Sequence, residues 1–339
     1  MQVEELPIPR FILCAAARYL IQQRLKRERQ RLALPEIRSK LFSAIKSGPI
    51  AVQTQKANEQ HYEVPAKFYT LTLGPNRKYS SCLYQDAQTT LEQAELAMLA
   101  LYVERAEIVD GQKIMDLGCG WGSLSLYLAR RFPNSKIIGV SNSRLQKEYI
   151  DQIIASEQLH NLEIRTGDIN SFEFNQKVDR IVSIEMFEHL RNYQLLFQKI
   201  LAWLEPNGKI FVHIFCHREL IYFFEEEGVS NWMGRHFFSG GIMPNFDLFN
   251  SFSDQVVIEK SWKVSGVNYY RTALDWERNL FANKPQIMPL FRAAYGSQAK
   301  LQFKRWQLFF IACQELFRFA EGNQWLVGHY LLTPKEQAL

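Results

Sequence analysis

The sequence predicts an α/β fold in which a mostly parallel sheet is covered on both faces by helices. Three observations predict it. Short apolar runs alternate with helical stretches between about residues 86 and 215, and a glycine-rich turn follows the first of these runs directly. The length of 339 residues suits one such core with sizeable additions.

The elements follow in order. Residues 10–47, rich in Ala, Leu, Arg and Gln, read as helix interrupted at Pro35, and Gly48-Pro49 closes them. Pro65 and Gly74-Pro75 punctuate a loop region. Thr89–Val109 reads as an amphipathic helix with a threonine cap and Glu92 in its first turn. Strands are expected at Lys113–Leu117, Lys136–Val140, Leu162–Thr166, Val178–Ile184 and Lys209–Phe215. Helices are expected between them at Ser123–Phe132, Arg144–Ser156 and Tyr193–Leu204. Residues 216–324 read as mostly helical and aromatic-rich, with a strand near Val256–Val264, and Trp325–Leu332 reads as a last strand. The chain thus divides into a helical extension with a covering segment (1–85), a core (86–215), a lid or substrate region (216–324) and a closing strand (325–339).

The composition, 47% hydrophobic and 22% charged, is that of a folded globular protein. Forty basic against thirty-five acidic side chains give only +5, too weak a charge to argue for nucleic acid. The excess gathers between Arg10 and Lys46, where ten Lys or Arg face only Glu28 and Glu36. A solvated helix face explains it; a membrane-surface contact or a second subunit, as in a homodimer, is the alternative. The five cysteines are scattered and form no CxxC pair, which fits reduced thiols better than disulfides or zinc. The start carries Glu4 and Glu5 rather than a basic leader, and the apolar stretch Phe11–Ile21 is too short to span a bilayer. A cytoplasmic protein is expected.

The first core strand runs into Asp116-Leu117-Gly118-Cys119-Gly120-Trp121-Gly122. Glycines at a strand-to-helix turn let a ligand approach the backbone closely. The dinucleotide spacing GxGxxG is absent, which counts against nicotinamide or flavin. S-adenosyl-L-methionine has no phosphate, and such a loop, with Asp116, Gly118 and Gly120, would cradle its amino-acid end. The second strand lacks the usual closing acid, so Asn142 or Gln146 must bind the ribose diol. Gly167-Asp168-Ile169 ends the third strand, where Asp168 can accept from the adenine amino group or simply form a surface turn.

The fourth strand ends in Ser183-Ile184-Glu185-Met186-Phe187-Glu188-His189, facing the same site. If the turn after Ile184 is helical, Glu185, Glu188 and His189 share one face; an exposed, dipole-favoured helix start is the plainer explanation. Amine chemistry needs such groups. An alkyl amine, with a pKa near about 10, arrives protonated and cannot attack a methyl group. A carboxylate can pair with the ammonium and help remove its proton, and His189 can carry that proton toward solvent.

With these residues in place, the chain resembles the coclaurine N-methyltransferase branch of the cyclopropane-fatty-acid synthase superfamily, from roughly His61 to Leu332. The motifs are Tyr79-Ser80-Ser81-Cys82, Asp116–Gly122, Ser183–His189, Phe211–His217, Phe237–Gly241, Asn268–Trp276 and Gln324–Leu332. The resemblance implies a Rossmann-like class I methyltransferase sheet with a C-terminal antiparallel strand, and S-adenosyl-L-methionine as cofactor. It implies Glu185, Glu188 and His189 as the catalytic set, with Tyr79, Ser80 and Ile169 joining the cofactor residues. Cyclopropane synthases build a bicarbonate site from a Cys, a Glu, a His and a Tyr; the last three match Glu188, His213 and Tyr269. An ungapped match puts Ser81 at the cysteine, which resembles the N-methyltransferase branch. Ser81, His213, Phe238 and Tyr269 are therefore expected around the substrate.

His213 and His217 invite a metal, but they lie across a strand end and no metal is expected. The aromatic helix Phe303–Phe319 reads as core, part of which can wall a cavity for an aromatic substrate, and Phe237–Gly241 reads as a lid or a plain turn. The expected function is N-methylation of a small amine, cyclic or benzylisoquinoline-like. A cyclopropane-type lipid enzyme is the alternative, and a cofactor-binding scaffold without turnover a third.

Overall fold

The computed structural model describes residue 4 and residues 6–52, 64–225 and 231–335; His61, where the resemblance begins, lies outside them. Helices α1 (Arg10–Leu32), α2 (Pro35–Ala44), α3 (Ala66–Thr72) and α4 (Leu91–Arg105) precede the sheet. Pro35 starts α2 at a first-turn position, where its missing N–H costs nothing. Thr90 caps α4: its side chain accepts from the Gln93 N–H and the Gln93 side chain accepts from the Thr90 N–H.

The core then alternates as expected: β1 (Lys113–Leu117), α5 (Ser123–Arg131), β2 (Lys136–Ser141), α6 (Arg144–Glu157), β3 (Leu162–Thr166), β4 (Val178–Ile184), α7 (Tyr193–Leu201) and β5 (Leu204–His217). After β5, β6 (Tyr222–Phe223) and β7 (Ile242–Met243) pair as a small separate ribbon flanking α8 (Trp232–His236), and the seven-stranded sheet has the order β3-β2-β1-β4-β5-β9-β8, with β8 (Val256–Val264) and β9 (Trp325–Pro334) closing it. The first five strands are parallel, and β9 is antiparallel to both β5 and β8. Strands β1 and β2 are buried almost throughout because helices cover both faces. Strand β5 is longer than the pattern predicts: α7 stops at Leu201 and pairing restarts at Leu204, before Pro206-Asn207-Gly208, which alone reads as a turn.

One apolar cluster joins α4 and α5 to α9 (Gly266–Ala282), α10 (Lys284–Tyr295) and α11 (Ala299–Phe317); a second, with Phe197, Phe249 and Tyr330, fills the other face. Trp276 and Trp325 are buried within the first, and truncating either to alanine would cost about 3–5 kcal/mol. The basic N-terminal helix is not simply a solvated face. It packs on α11, Arg10 donates to Glu277 at 2.8 Å, and Arg18 lies 2.8 Å from Glu315, both carboxylates being buried. Among the described residues no helix is long and apolar enough to cross a membrane.

Candidate active site

The sheet order reverses at β1, which has β2 on one side and β4 on the other. Such a switch point opens a crevice at the carboxyl ends of the strands. It brings the turn after β1 against the turn after β4. Two adjoining cavities occupy it, sharing Gly118, Gly120, Gln146, Glu185 and His189 as walls. Gly118 has φ +85°, and a Cβ there would lie 2.6 Å from Met186 Cγ. Gly120 has φ +53° with nothing within 4 Å of an added Cβ, so its bare backbone faces the opening.

The second cavity carries Asn142, Gln146, Asp168 and Ile169. Ser141 Oγ donates to Gln146 Oε1 at 2.7 Å, which leaves the Gln146 amide N–H₂ as the donor. Asp168 Oδ1 accepts from the Asn170 backbone and side chain at 2.9 Å, and Asn170 in turn holds both polar groups of the Ala51 backbone. The acid is thus both part of a turn and part of the wall. In the first cavity stand Tyr79, Ser80, Asp116, Phe238 and Tyr269. Asp116 accepts from Ser125 Oγ at 2.6 Å, and burial pushes its carboxyl up to about 6.

The turn after β4 is not a continuous helix. Glu185 takes a left-handed φ of +47°, and only Phe187–His189 form a short 3₁₀ turn. Glu185 and Glu188 therefore do not stack on one helical face; their side chains have different surroundings. Glu185 Oε1 accepts from the Ser81 N–H at 2.9 Å and lies 3.0 Å from His213 Nε2, while Oε2 accepts from the Tyr269 hydroxyl at 2.6 Å. Glu188 has no solvent exposure, and among the described residues neither carboxylate oxygen has a hydrogen-bond partner on another residue. Burial raises both carboxyls. Glu185 reaches only about 7, because Lys78, Tyr269 and the Ser81 N–H favour its charge, whereas burial and the nearby Glu185 push Glu188 well above the carboxylate range. His189 lines both cavities and stacks on Phe238, with ring centroids 4.5 Å apart.

Two expected pocket residues stand elsewhere. Ser81 contributes its backbone N–H, its hydroxyl pointing to Cys82 O, and His213 is fully buried behind Glu185. The carboxylate of Glu185 accordingly occupies the donors of His213 and Tyr269, the pair that the resemblance assigns to bicarbonate in synthases. A residue that the sequence did not single out is Lys78, buried at the cavity edge, whose Nζ donates to Ser80 Oγ at 2.6 Å and to Ser81 O at 2.5 Å. Glu95 of α4 fixes its turn, accepting from the Asn76 and Lys78 backbones under Gly74, where a Cβ would meet the carboxylate at 2.4 Å. His217 Nδ1 accepts from the Glu219 and Leu220 N–H groups, a turn-capping role. Among the described residues no three His, Cys, Asp or Glu side chains are placed to hold a metal ion.

A seven-stranded sheet of this order with a glycine-walled switch-point crevice defines a class I S-adenosylmethionine-dependent methyltransferase. Residues 51–325 match the mycolic acid cyclopropane synthetase family model, and the chain belongs to that family. It is similar to (S)-coclaurine N-methyltransferase of Thalictrum flavum subsp. glaucum, with 36% identity over 300 residues, covering 87% of this chain and 83% of the relative. Cyclopropane-fatty-acyl-phospholipid synthase of Escherichia coli K12 is more distant at 26% identity, covering 79% of this chain and 66% of the relative. A crystal structure of coclaurine N-methyltransferase bound to N-methylheliamine and S-adenosylhomocysteine superposes with a TM-score of 0.90 at 32% identity, covering 96% of each chain. A cyclopropane synthase of Mycobacterium tuberculosis shares the fold, with a TM-score of 0.69 at 21% identity over 83% of this chain and 98% of that one.

Proposed function

We propose that the protein N-methylates a small amine, of the cyclic or benzylisoquinoline-like class, bound against Glu188. The observation that carries this reading is the Glu188 carboxyl, buried, without a partner on any other described residue, and facing a cavity walled by Tyr79, Phe215, Phe238, Tyr269 and Phe309. A buried carboxylate without a counter-charge is costly. A protonated amine supplies that counter-charge, and the aromatic walls suit its rings.

The residues fit S-adenosylmethionine. Gly120 leaves its backbone open to a ligand, and Asp116 with Ser80 offers polar atoms for an amino-acid end. Asn142 and the Gln146 amide, which line the second cavity, would take the ribose hydroxyls, and Asp168 with Ile169 the adenine. When bound, the cofactor supplies an electrophilic methyl group. Glu188 then pairs with the ammonium, orients it and takes its proton. Burial makes Glu188 a stronger base than a solvated carboxylate, and positioned bases of this kind contribute about 10²–10⁴-fold. His189, half-buried against both cavities, passes the proton outward. Glu185 stays an acceptor, held by His213, Tyr269 and Ser81.

Similarity to coclaurine N-methyltransferase supports the amine class. The occupied donors of His213 and Tyr269 weigh against a synthase-type bicarbonate site. Steady-state methylation of benzylisoquinoline and simpler cyclic amines by the native chain and by Glu188→Gln tests the reading. A loss of about 10²-fold or more in kcat/KM is expected; an unchanged rate would refute the role of Glu188.

A further inference from the structure

Behind the cavity lies a file of buried polar groups that the proposed chemistry leaves unused. Strands β5 and β9 pair antiparallel so that His213 and His329 are direct cross-strand partners, and both side chains are fully buried. Their rings are 4.8 Å apart, and His329 Nε2 lies 2.9 Å from His213 Nδ1. On the far side, His329 Nδ1 is 2.7 Å from an Arg105 guanidinium nitrogen at the end of α4. On the near side, His213 Nε2 is 3.0 Å from Glu185 Oε1. Arg105 itself is half-buried and lies over the Trp262 ring, 4.9 Å from its centroid.

The direction of this file follows from its one member that cannot accept. A guanidinium only donates. His329 Nδ1 must therefore accept from Arg105, so the His329 proton sits on Nε2. It donates to His213 Nδ1, which puts the His213 proton on Nε2, aimed at Glu185. The opposite arrangement would set an N–H of His329 against the guanidinium and a lone pair of His213 against a carboxylate. The Tyr102 hydroxyl also lies 2.9 Å from His213 Nδ1 and shares its single lone pair with His329. Both imidazoles stay neutral: burial, and then the neighbouring cations Lys78 and Arg105, hold His213 well below its ordinary range. Burial, His213, Arg105 and Lys78 do the same to His329. Because every donor points toward Glu185, the file does not carry a proton away. It polarises toward the carboxylate.

We infer that Arg105 and His329 are positioning residues for methyl transfer, which lock one tautomer of His213 and so keep the Glu185 carboxylate in place as an acceptor beside the reacting groups. This deepens the amine reading and rests on it. Glu185 also faces Lys78 and Cys82 from the covering segment, Glu188 from its own turn, Tyr102 from α4, Tyr269 from α9 and Cys313 from α11. Of these only Lys78 brings a positive charge, so a cut in the file removes support that the others do not replace.

The test pairs kinetics with a readout that does not need turnover. In the pH profile of kcat, Arg105→Met should move the acid limb up by about one unit. At pH 7, with Glu185 at about 7, it should lower kcat about fivefold, with the amine KM within about twofold. His329→Leu should behave like Arg105→Met, while His329→Gln, which can accept and donate in the same order, should restore most of the rate. In parallel, ¹⁵N spectra of the histidine side chains in the ligand-free protein should show His213 and His329 neutral and protonated at Nε2, with the His329 signals shifted in Arg105→Met. The opposite tautomer in the native protein, or superimposable pH profiles for native and Arg105→Met, would overturn the inference. If no amine is methylated at all, the amine reading fails by itself, and the spectra still decide the file; Arg105→Met, at the half-buried end, keeps the test open should His329→Leu not fold.

Discussion

His189 stacks on Phe238 with ring planes inclined by only 23°, so the short turn after β4 is tied to the segment Phe237–Gly241. That segment was expected to be a lid or a plain turn; here it is the surface on which His189 rests. An aromatic pair of this kind contributes about 0.5–1.5 kcal/mol. Phe238→Ala should therefore lower kcat by a few-fold to about tenfold, and because Phe238 is also buried against Phe215 and Phe224 the melting temperature should fall as well, as stopped assays and thermal scans would show. Phe238→Trp, which keeps a stacking face, should retain most of the rate.

Glu185 combines a left-handed backbone with a carboxylate held by three donors. Glu185→Gly relieves the backbone conformation and empties the space in front of His213, Tyr269 and the Ser81 N–H. The variant should remain folded, lose about 10²-fold in kcat, and regain part of it when bicarbonate or formate is added. Addition of chloride at equal ionic strength should restore nothing. If neither carboxylate anion helps, the three donors do not act as one anion-holding set.

The pH dependence of stability has a definite sign. Burial raises Glu188, Glu185 (to about 7) and Asp116 (to about 6) above their ordinary values. Between the ordinary carboxylate range and these values the folded protein binds more protons than the unfolded chain, so ligand-free stability falls as pH rises through that window. Glu188→Gln, which does not titrate, should melt close to the native protein at pH 5 and higher than it at pH 8. A constant offset at all pH values would show that Glu188 is not the group responsible.

Gln146 presents its amide to both cavities because Ser141 takes its carbonyl oxygen. Gln146→Leu removes that donor without changing the size of the side chain greatly. S-adenosylhomocysteine should then bind about tenfold more weakly by isothermal titration, the cost of one unmade polar contact. The KM for the amine, measured at saturating cofactor, should hold.

The parallel core was legible in the sequence because short apolar-rich runs recur between helical stretches, as in Ile137-Ile138-Gly139-Val140 and Ile210-Phe211-Val212, even though Asp116 interrupts the first strand and Asp179 and Arg180 the fourth. The glycine turn and the acids after β4 were legible for the same reason: strand ends at a switch point are where ligands sit. What the residues do locally was less so. Helical spacing placed Glu185 and Glu188 on one face, but a positive φ at Glu185, unusual for a residue with a Cβ, separates them. Lys78 sits in a loop, where a lysine reads as solvated, and its burial depends on Ser80 Oγ, Ser81 O and the distant acids Glu185 and Glu95, which folding alone brings to it. The partnership of His213 with His329 depends on β5–β9 register across 116 residues, which no local pattern encodes. A faint signal existed: each histidine interrupts an apolar run, in Phe211–Phe215 and in Trp325–Leu332.

If Glu188 is the partner of a cationic amine, binding of the amine is linked to proton release. With S-adenosylhomocysteine bound, amine binding should be titrated calorimetrically at pH 7 in buffers of differing ionisation enthalpy. Native protein should release about one proton per amine bound, as the buried, protonated Glu188 yields its proton to pair with the ammonium, and Glu188→Gln should release almost none. No release by the native protein, or the same release by both, would contradict the account.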